Sequence, residues 1–290
     1  MSKVKSRSEI GDILYHLVRD PLGLVGLVIV TLIFASALFA SWIVPYDPIA
    51  LNIPDRMQGP SWAHLLGTDQ LGRDTFSRVI MGGRVALQVA LPTIIGAMTI
   101  GIFLGMVAGY GPKWLDNLIV LLFDTVRSFP TVMFALAVVA LVGPSLNTVI
   151  LVIMVTSVPT YGRVVRTLTQ SIKSSEFIMA EKALGASTPR ILAVHILPNV
   201  LGPLAVLAAM DIPTIVGLEA GLSFLGMGVR PPTPSWGSLL NDGYSLIRNT
   251  PWLIIAGGIP LILTTLGFTF LGEALRDVVD PKLRGRGGDK

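Results

Sequence analysis

Long apolar stretches recur along the chain, separated by polar segments or by segments rich in proline and glycine. A helix needs about 20 mostly apolar residues to cross the hydrocarbon core of a bilayer. Because six stretches approach that length, the pattern predicts an all-α membrane protein with six transmembrane helices. The predicted helices cover residues 22–44, about 85–110, about 115–142, about 148–165, about 196–221 and about 252–271.

The composition agrees with a lipid environment. Hydrophobic residues make up 52% of the 290 residues and charged residues 14%, whereas soluble domains carry about 25% charged residues. These values argue against a soluble domain and exclude a disordered chain. The chain has no cysteine, which excludes disulfides and Cys-ligated metal sites. A net charge of +4 is too small to indicate a nucleic-acid partner.

Lysine and arginine concentrate before the first predicted helix, between the fourth and fifth, and after the sixth. Six crossings bring these segments to one side, which the positive-inside rule makes the cytoplasm, so both termini are predicted to be cytoplasmic.

Residues 1–21 form an N-terminal segment whose apolar period between residues 10 and 18 is typical of an amphipathic interfacial helix; a buried helix of soluble type is the alternative. Residues 45–83 form an extracytoplasmic loop, and residues 274–290 form a cytoplasmic tail.

Two features concern packing rather than chemistry. In the second predicted helix, small residues recur every four positions, which predicts close approach of another helix; they are Ala97, Gly101, Gly105 and Gly109. In the outer loop, four charged residues form an ion-pair lattice or are simply solvated; they are Asp69, Arg73, Asp74 and Arg78. Because exposed pairs contribute only about 0–1 kcal/mol each, solvation is the expected state.

The segment of residues 170–198 is long, polar and predicted to be cytoplasmic. Ser174 or Ser175 can cap a first helix, and Gly185 suits the left-handed position that ends it. Thr188 can cap a second helix, which reaches the start of the fifth crossing at Leu197 and Pro198. The first helix carries an apolar stripe formed by Phe177, Ala180, Ala183 and Leu184. Such a stripe calls for a groove in another protein; the lipid interface is the alternative.

Ionisable residues inside predicted membrane helices are costly and tend to face a cavity or each other. Asp211 and Glu219 are the candidates for the lining of a passage. An internal pair, such as Asp124 with Arg127, is the alternative explanation for these charges. The proline-dense stretch of residues 231–237 is not predicted to be helical, and its Trp236 suits an anchor at the outer interface.

No catalytic set is recognisable. The chain has no phosphate-binding loop, no His-Glu-x-x-His pattern and no nucleophile elbow. We therefore expect no enzymatic activity, no cofactor and no metal site in this chain. If ATP is used, another chain must bind it.

Four stretches resemble the permease subunits of bacterial ABC importers of the dipeptide and oligopeptide type. They are His64–Asp74, Glu176–Asn199, Glu219–Gly237 and Gly272–Pro281. In the family's coupling motif, Gly185, Leu197 and Pro198 match, whereas Met179, Ala180 and Glu181 stand at the Glu-Ala-Ala positions and His195 stands at an Ile position. This departure leaves Met179 and Glu181 as poor candidates for family roles.

The resemblance implies a type I ABC importer permease fold, with residues 84–273 as the transmembrane domain. It also implies an assembly with a second, related permease, two ATPase subunits that bind ATP and Mg, and an extracytoplasmic solute-binding protein. The residues expected to couple to the ATPases are Glu176, Phe177, Ala180, Ala183, Leu184, Gly185, Ala186, Leu197 and Pro198.

A secondary transporter that uses membrane carboxylates for ion coupling is the competing interpretation. Such a transporter usually shows inverted repeats with paired broken helices, and no such halves are visible here. The transported solute stays open between dipeptides, oligopeptides, nickel complexes, glutathione, opines and oligosaccharides.

Overall fold

The computed structural model describes residue 15, residues 17–248 and residues 250–279, without the side chain of Val279. Helices joined by short connections and one long loop account for these residues, and the only β pairing among them is an isolated bridge between Thr68 and Asp74. The helices are α1 (Pro21–Leu38), α2 (Ala40–Ile43), α3 (Thr75–Tyr110), α4 (Lys113–Arg127), α5 (Thr131–Val142), α6 (Leu146–Lys173), α7 (Glu176–Ala183), α8 (Thr188–Phe224), α9 (Trp236–Ser245) and α10 (Trp252–Val279).

Among these described residues, five helices are long and apolar enough to cross a membrane, namely α1, α3, α6, α8 and α10. The third predicted crossing is broken: α4 and α5 meet at an angle of 80°. A single helix over residues 115–142 was therefore wrong, whereas six crossings result if the bent pair counts as one. Pro130 explains the break because it lacks an N–H and its ring clashes with the preceding helical turn. The hydroxyl group of Ser128 donates to the Asp124 carbonyl at 2.7 Å and closes the end of α4.

The first crossing begins with a capping aspartate followed by a proline. The Asp20 carboxylate accepts a hydrogen bond from the Gly23 N–H at 2.8 Å, and Pro21 occupies the first helical position, where its missing N–H has no helical partner to lose. The amphipathic helix predicted between residues 10 and 18 lies largely outside the described residues, as does the tail beyond residue 279.

The small-residue stripe of α3 packs directly on α6, as predicted. An added Cβ at Gly101 would lie 2.6 Å from the Cβ of Tyr161, and one at Gly109 would lie 2.7 Å from the Cβ of Thr169. The two backbones are therefore in near contact over the half of α3 that ends at Tyr110. The pairing of α1 with α10 uses the same device, since Gly26 faces the backbone of α10.

Helix α9 was not predicted. It begins with a capping box in which Ser235 accepts from the Ser238 N–H at 3.1 Å and Ser238 accepts from the Ser235 N–H at 3.0 Å. Trp236, predicted as an interfacial anchor, is buried: its Nε1 donates to the Val79 carbonyl at 2.9 Å, and its ring covers Gly82. The glycine leaves the space into which the indole ring fits.

The buried side chains form two clusters. One cluster lies around Trp236 and Leu239 and joins α1, α3, α5, α6, α8, α9 and α10. The other joins α3, α4, α6 and α8 to the segment of residues 170–198 and contains Phe123, Tyr161 and Ile178. We call the second one the inner cluster. It connects α7, the short helix within residues 170–198, to the membrane helices.

Candidate docking helix and the polar groups behind it

The predicted helix–glycine–helix segment is present, and its first helix is α7. Ser175 occupies the N-cap position, but its hydroxyl group donates back to the Ile172 carbonyl at 2.6 Å instead of capping α7. Gly185 ends the helix with φ +83°. The Ala186 N–H donates to the Glu181 carbonyl and the Gly185 N–H donates to the Lys182 carbonyl, both at 3.0 Å. This pair of bonds is the Schellman motif.

The apolar stripe of α7 faces outward. Leu184 is 85% exposed and Phe177 is 49% exposed, and Ala180 and Ala183 are also exposed. A short helix that leaves this much apolar surface uncovered has the form of a recognition element.

One residue of α7 points the other way. Ile178 is fully buried and belongs to the inner cluster with Ile119, Phe123 and Tyr161. Sequence analysis missed Ile178 because it lies off the apolar stripe, and an isolated isoleucine on a polar segment gives no periodic signal. It holds the exposed stripe at a fixed position relative to the membrane helices.

The second arm is continuous with the fifth crossing. The helix begins after Ser187, one residue earlier than the predicted cap, and runs from Thr188 to Phe224 without a break. Residues 191–196 form a wide π-helical turn just before Pro198. Asn199 donates to the His195 carbonyl at 2.6 Å, which satisfies one backbone acceptor near the proline. The predicted boundary at Leu197 and Pro198 therefore marks a change of helix type.

Side chains connect α7 to its neighbours. The rings of Phe177 and His195 lie edge to face with centroids 6.1 Å apart, and His195 Nε2 lies 3.7 Å from Glu181 Oε1. Lys182 Nζ lies 5.1 Å from the ring centroid of Tyr110, the last residue of α3. Lys173, at the end of α6, donates to the Tyr110 carbonyl at 2.8 Å. The ends of α3 and α6 therefore lie together beside α7.

A bidentate ion pair lies close behind these contacts. Arg166 Nε and Nη2 donate to the two carboxylate oxygens of Asp116 at 2.5 and 2.7 Å. The pair joins the first turn of α4 to α6, and both side chains are partly buried. Sequence analysis did not identify Asp116, because its partner lies 50 residues away and its only local signal is an acidic residue at a helix start.

The charged residues of α4 do not form the Asp124–Arg127 pair that the sequence offered as an alternative. Asp124 forms an ion pair with Arg163 of α6 instead, at 2.7 Å. Arg127 donates instead to the hydroxyl group of Thr160 at 2.9 Å. The bend after Ser128 ends α4, so both charged residues face α6.

The two candidate passage residues lie in different surroundings. Asp211 is half-buried, and its Oδ2 accepts a hydrogen bond from the Tyr161 hydroxyl group at 3.2 Å. Glu219 is 1% exposed, and its Oε1 accepts from the Ser223 hydroxyl group at 2.6 Å. The Val229 N–H donates to the same Ser223 oxygen at 3.2 Å. The hydrogen bonds from Val229 to Ser223 and from Ser223 to Glu219 therefore hold the turn after α8 against the helix.

The charged residues of the long loop and of the first turns of α3 form a buried lattice, so the expectation that they are solvated was wrong. Asp69 is fully buried, lies 2.7 Å from Arg73 and accepts from two backbone N–H groups at 2.8 and 3.0 Å. Asp74 caps α3 through the Ser77 N–H at 2.8 Å and contacts His64 at 2.9 Å. The lattice continues to α9, where Asp242 lies within 3.7 Å of both Arg73 and Arg78. The unforeseen helix α9 supplies the partner that makes burial possible.

Two family models match the chain. Residues 101–285 match the binding-protein-dependent transport system inner membrane component, and residues 8–60 match the N-terminal transmembrane domain of oligopeptide transport permease C. The chain is similar to the dipeptide transport system permease protein of Alkalihalophilus pseudofirmus, with 41% identity over 93% of this chain and 88% of that protein.

Further relatives carry related names. The di/tripeptide transport system permease protein of Pseudomonas aeruginosa is 37% identical over 89% of this chain and 88% of its own length. The glutathione transport system permease protein of Pectobacterium atrosepticum is 39% identical over 88% and 85%. Among solved structures, an inward-facing MetNI methionine ABC transporter superposes with a TM-score of 0.57 and 20% identity over 70% of this chain and 97% of that chain. That likeness concerns the fold.

Proposed function

Because the chain belongs to the family of binding-protein-dependent transport system inner membrane components, the non-catalytic permeases of ABC importers, we propose that it forms half of a passage for peptides or peptide-like solutes. Its family and its apolar helices make it a multi-pass inner-membrane protein. The peptide-related names of its relatives support this solute class. The family and the type I importer fold favour this function over a secondary transporter.

The observation that carries the proposal is the exposed stripe of α7 on a buried base. Leu184 projects away from the chain and Phe177 is half-exposed beside His195, whereas Ile178 inserts into the inner cluster. A helix held in this way can receive a force from a partner without being pulled out of the permease. We propose that this face docks into an ATPase subunit, with the segment of residues 170–198 on the cytoplasmic side.

The remaining parts of the assembly follow from the family. Two ATPase subunits would bind ATP and Mg, a second permease would complete the passage, and an extracytoplasmic binding protein would deliver the solute. ATP can switch the passage only through a difference between the contacts that α7 makes with the two states of the ATPase. We propose that the buried lattice around Asp69 keeps the opposite side of the permease ordered while α7 moves.

The passage itself is proposed to involve Asp211. Its carboxylate is only half-buried, so it can face a space formed with the second permease, and the Tyr161 hydroxyl group fixes one of its oxygens. Glu219 was the other sequence-based candidate. Since its carboxylate is enclosed by this chain and bonded to Ser223, we propose that it acts by shaping the outer end of α8.

A co-purification experiment tests the docking proposal. The chain is expressed with the ATPase subunits and the second permease of the same transporter, and the double variant Phe177→Ser/Leu184→Ser is compared with Leu141→Ser. Leu141 is 88% exposed but lies at the end of α5, away from α7. We expect the double variant to reach the membrane and to lose the ATPases, whereas Leu141→Ser keeps them. Retention of the ATPases by the double variant would overturn the proposal.

Uptake measurements test the solute class. Proteoliposomes that contain the whole importer are supplied with the binding protein, ATP and a labelled dipeptide, with glutathione and a nickel complex as competitors. Peptide uptake that requires ATP supports the proposal. Ion-driven uptake by this chain alone would instead support a secondary transporter.

A further inference from the structure

A lateral groove lies between α1 and α3, on the half of the fold that carries the long loop. Its volume is about 680 Å³, and its walls are mostly apolar side chains such as Phe34, Leu38, Leu87 and Leu91. We call it the lateral groove. It opens sideways from two helices that cross the membrane, so its contents come from the bilayer or from a neighbouring membrane helix.

The depth of the lateral groove matches one leaflet. Its α1 wall extends from Val30 to Phe39, which corresponds to about 14 Å at a rise of 1.5 Å per residue. A leaflet contributes about half of the 30 Å hydrocarbon core. The groove therefore begins at the end of α1 and at Arg84, nine residues into α3, and closes at Pro92, near the middle of the bilayer.

Three polar side chains line the groove: Thr31 lies at the deep end of the α1 wall, and Arg84 and Gln88 lie on the α3 wall. Arg84 lies at the outer end, where its Nη1 donates to the Ser41 hydroxyl group at 2.9 Å. Within the described residues, Arg84 has no carboxylate partner. Gln88 lies one helical turn deeper, about 6 Å further along α3, is exposed, and makes no hydrogen bond to any described residue.

Gln88 requires a hydrogen-bond partner because the hydrocarbon core supplies none, and Arg84, at the outer end of the groove, carries a charge that no described carboxylate neutralises. A phospholipid presents polar groups in the matching order. Its phosphate lies outermost, its ester carbonyl groups lie a few ångströms deeper, and its acyl chain follows. A membrane helix of another subunit would match the row formed by Arg84 and Gln88 only if it carried an acidic and a polar side chain at the same spacing.

We propose that the lateral groove binds one phospholipid of the outer leaflet. Arg84 holds the phosphate, since a guanidinium group is well suited to phosphate oxygens. The Gln88 amide donates to an ester carbonyl, and one acyl chain lies along Phe34, Leu87 and Leu91. The bound lipid fills the space between α1 and the rest of the bundle.

Photocrosslinking tests this site. The assembled importer is reconstituted into vesicles of phosphatidylethanolamine and phosphatidylglycerol that contain phosphatidylglycerol with a diazirine on one acyl chain. A diacylglycerol with the same diazirine lacks the phosphate and serves as the comparison probe. After irradiation, labelled peptides are mapped by mass spectrometry. We expect label to concentrate on residues 30–39 and 84–92 and to depend on the phosphate.

Three variants test whether labelling depends on Arg84 and on the space in the groove. Arg84→Gln should lower labelling of the groove about fivefold, in line with the contribution of one arginine to binding an anionic lipid. Ala35→Trp should fill the groove and block labelling. Arg56→Gln, an exposed arginine of the outer loop, should leave labelling unchanged. Size-exclusion profiles of the detergent-purified variants show that the importer is still assembled.

Three outcomes would overturn the proposal. Label could spread evenly over other lipid-facing surfaces, such as the exposed Ile262 of α10. The phosphate-free probe could label the groove equally well, with no effect of Arg84→Gln. The groove could be labelled in the isolated chain but not in the assembled importer, which would mean that a neighbouring subunit occupies it.

Discussion

Replacing Gly185 by alanine isolates a single physical effect at the end of α7, the proposed docking helix. The residue has φ +83°, and an added Cβ would meet nothing within 4 Å. The substitution therefore causes no clash in this chain and removes no side-chain contact. Its whole effect comes from placing an L-residue in the left-handed region, which glycine tolerates and alanine does not.

The magnitude follows from that conformational cost. A left-handed backbone costs an L-residue about 1–2 kcal/mol, which corresponds to a change of about 5-fold to 30-fold in a local equilibrium. The equilibrium in question is closure of the Schellman motif, in which the Gly185 and Ala186 N–H groups are bonded at 3.0 Å. Asparagine tolerates the left-handed region better, so Gly185→Asn should have a smaller effect.

Hydrogen exchange measured by mass spectrometry is the appropriate assay. Peptides that contain residues 184–187 should exchange about 5-fold to 30-fold faster in Gly185→Ala, with an intermediate rate in Gly185→Asn. Gly202→Ala is the matched control, because Gly202 lies inside helix α8 and also has nothing within 4 Å of an added Cβ. Equal exchange in Gly185→Ala and the unaltered protein would refute the reasoning. Solute-stimulated ATP hydrolysis by the assembled importer should decline in the same order.

Other substitutions separate docking from folding. Phe177→Ala with Leu184→Ala should abolish ATPase co-purification and lower the thermal unfolding temperature only slightly, because Leu184 projects outward and Phe177 loses only its contact with His195. Ile178→Ala should destabilise the chain by about 2–5 kcal/mol by opening a cavity, measured as a lower unfolding temperature in detergent. Asp116→Asn should lower that temperature less, by the equivalent of about 1.5 kcal/mol, since its ion pair is partly exposed. Glu219→Leu should reduce protein yield, whereas Glu219→Gln, which keeps an acceptor for Ser223, should restore it; equal yields would contradict a structural role.

The parts of the fold that sequence could predict are those with a local periodic signal. The apolar stretches predicted the long helices, and the four-residue repeat ending at Gly109 predicted the face that packs on α6. The end of α7 at Gly185 was predictable because a glycine after a helical pattern has few other uses. Each of these signals lies within a few turns of one helix.

The parts that sequence could not predict depend on partners far along the chain. Asp69 is buried in an ion pair with Arg73, and Arg73 also contacts the distant Asp242. No sequence pattern near Asp69 indicates Asp242. Trp236 is buried because Gly82 leaves space for its ring. Asp116 pairs with Arg166 across 50 residues. In each case a polar or aromatic residue typical of a surface is enclosed by an element whose position only the three-dimensional structure gives.

The attachment of α7 determines what a displacement at the docking face can do. Ile178 fixes the helix to the inner cluster, and Lys173 ties the residues just before it to the end of α3. Since α3 and α6 are in near backbone contact along the glycine stripe, they resist movement relative to each other. The segment after α7 continues without a break into α8, and its buried Ile191 and Ile196 share the inner cluster with Ile178. A displacement of α7 should therefore act mainly on α8, the helix that carries Asp211, so one continuous element would link the proposed docking face to the proposed passage residue.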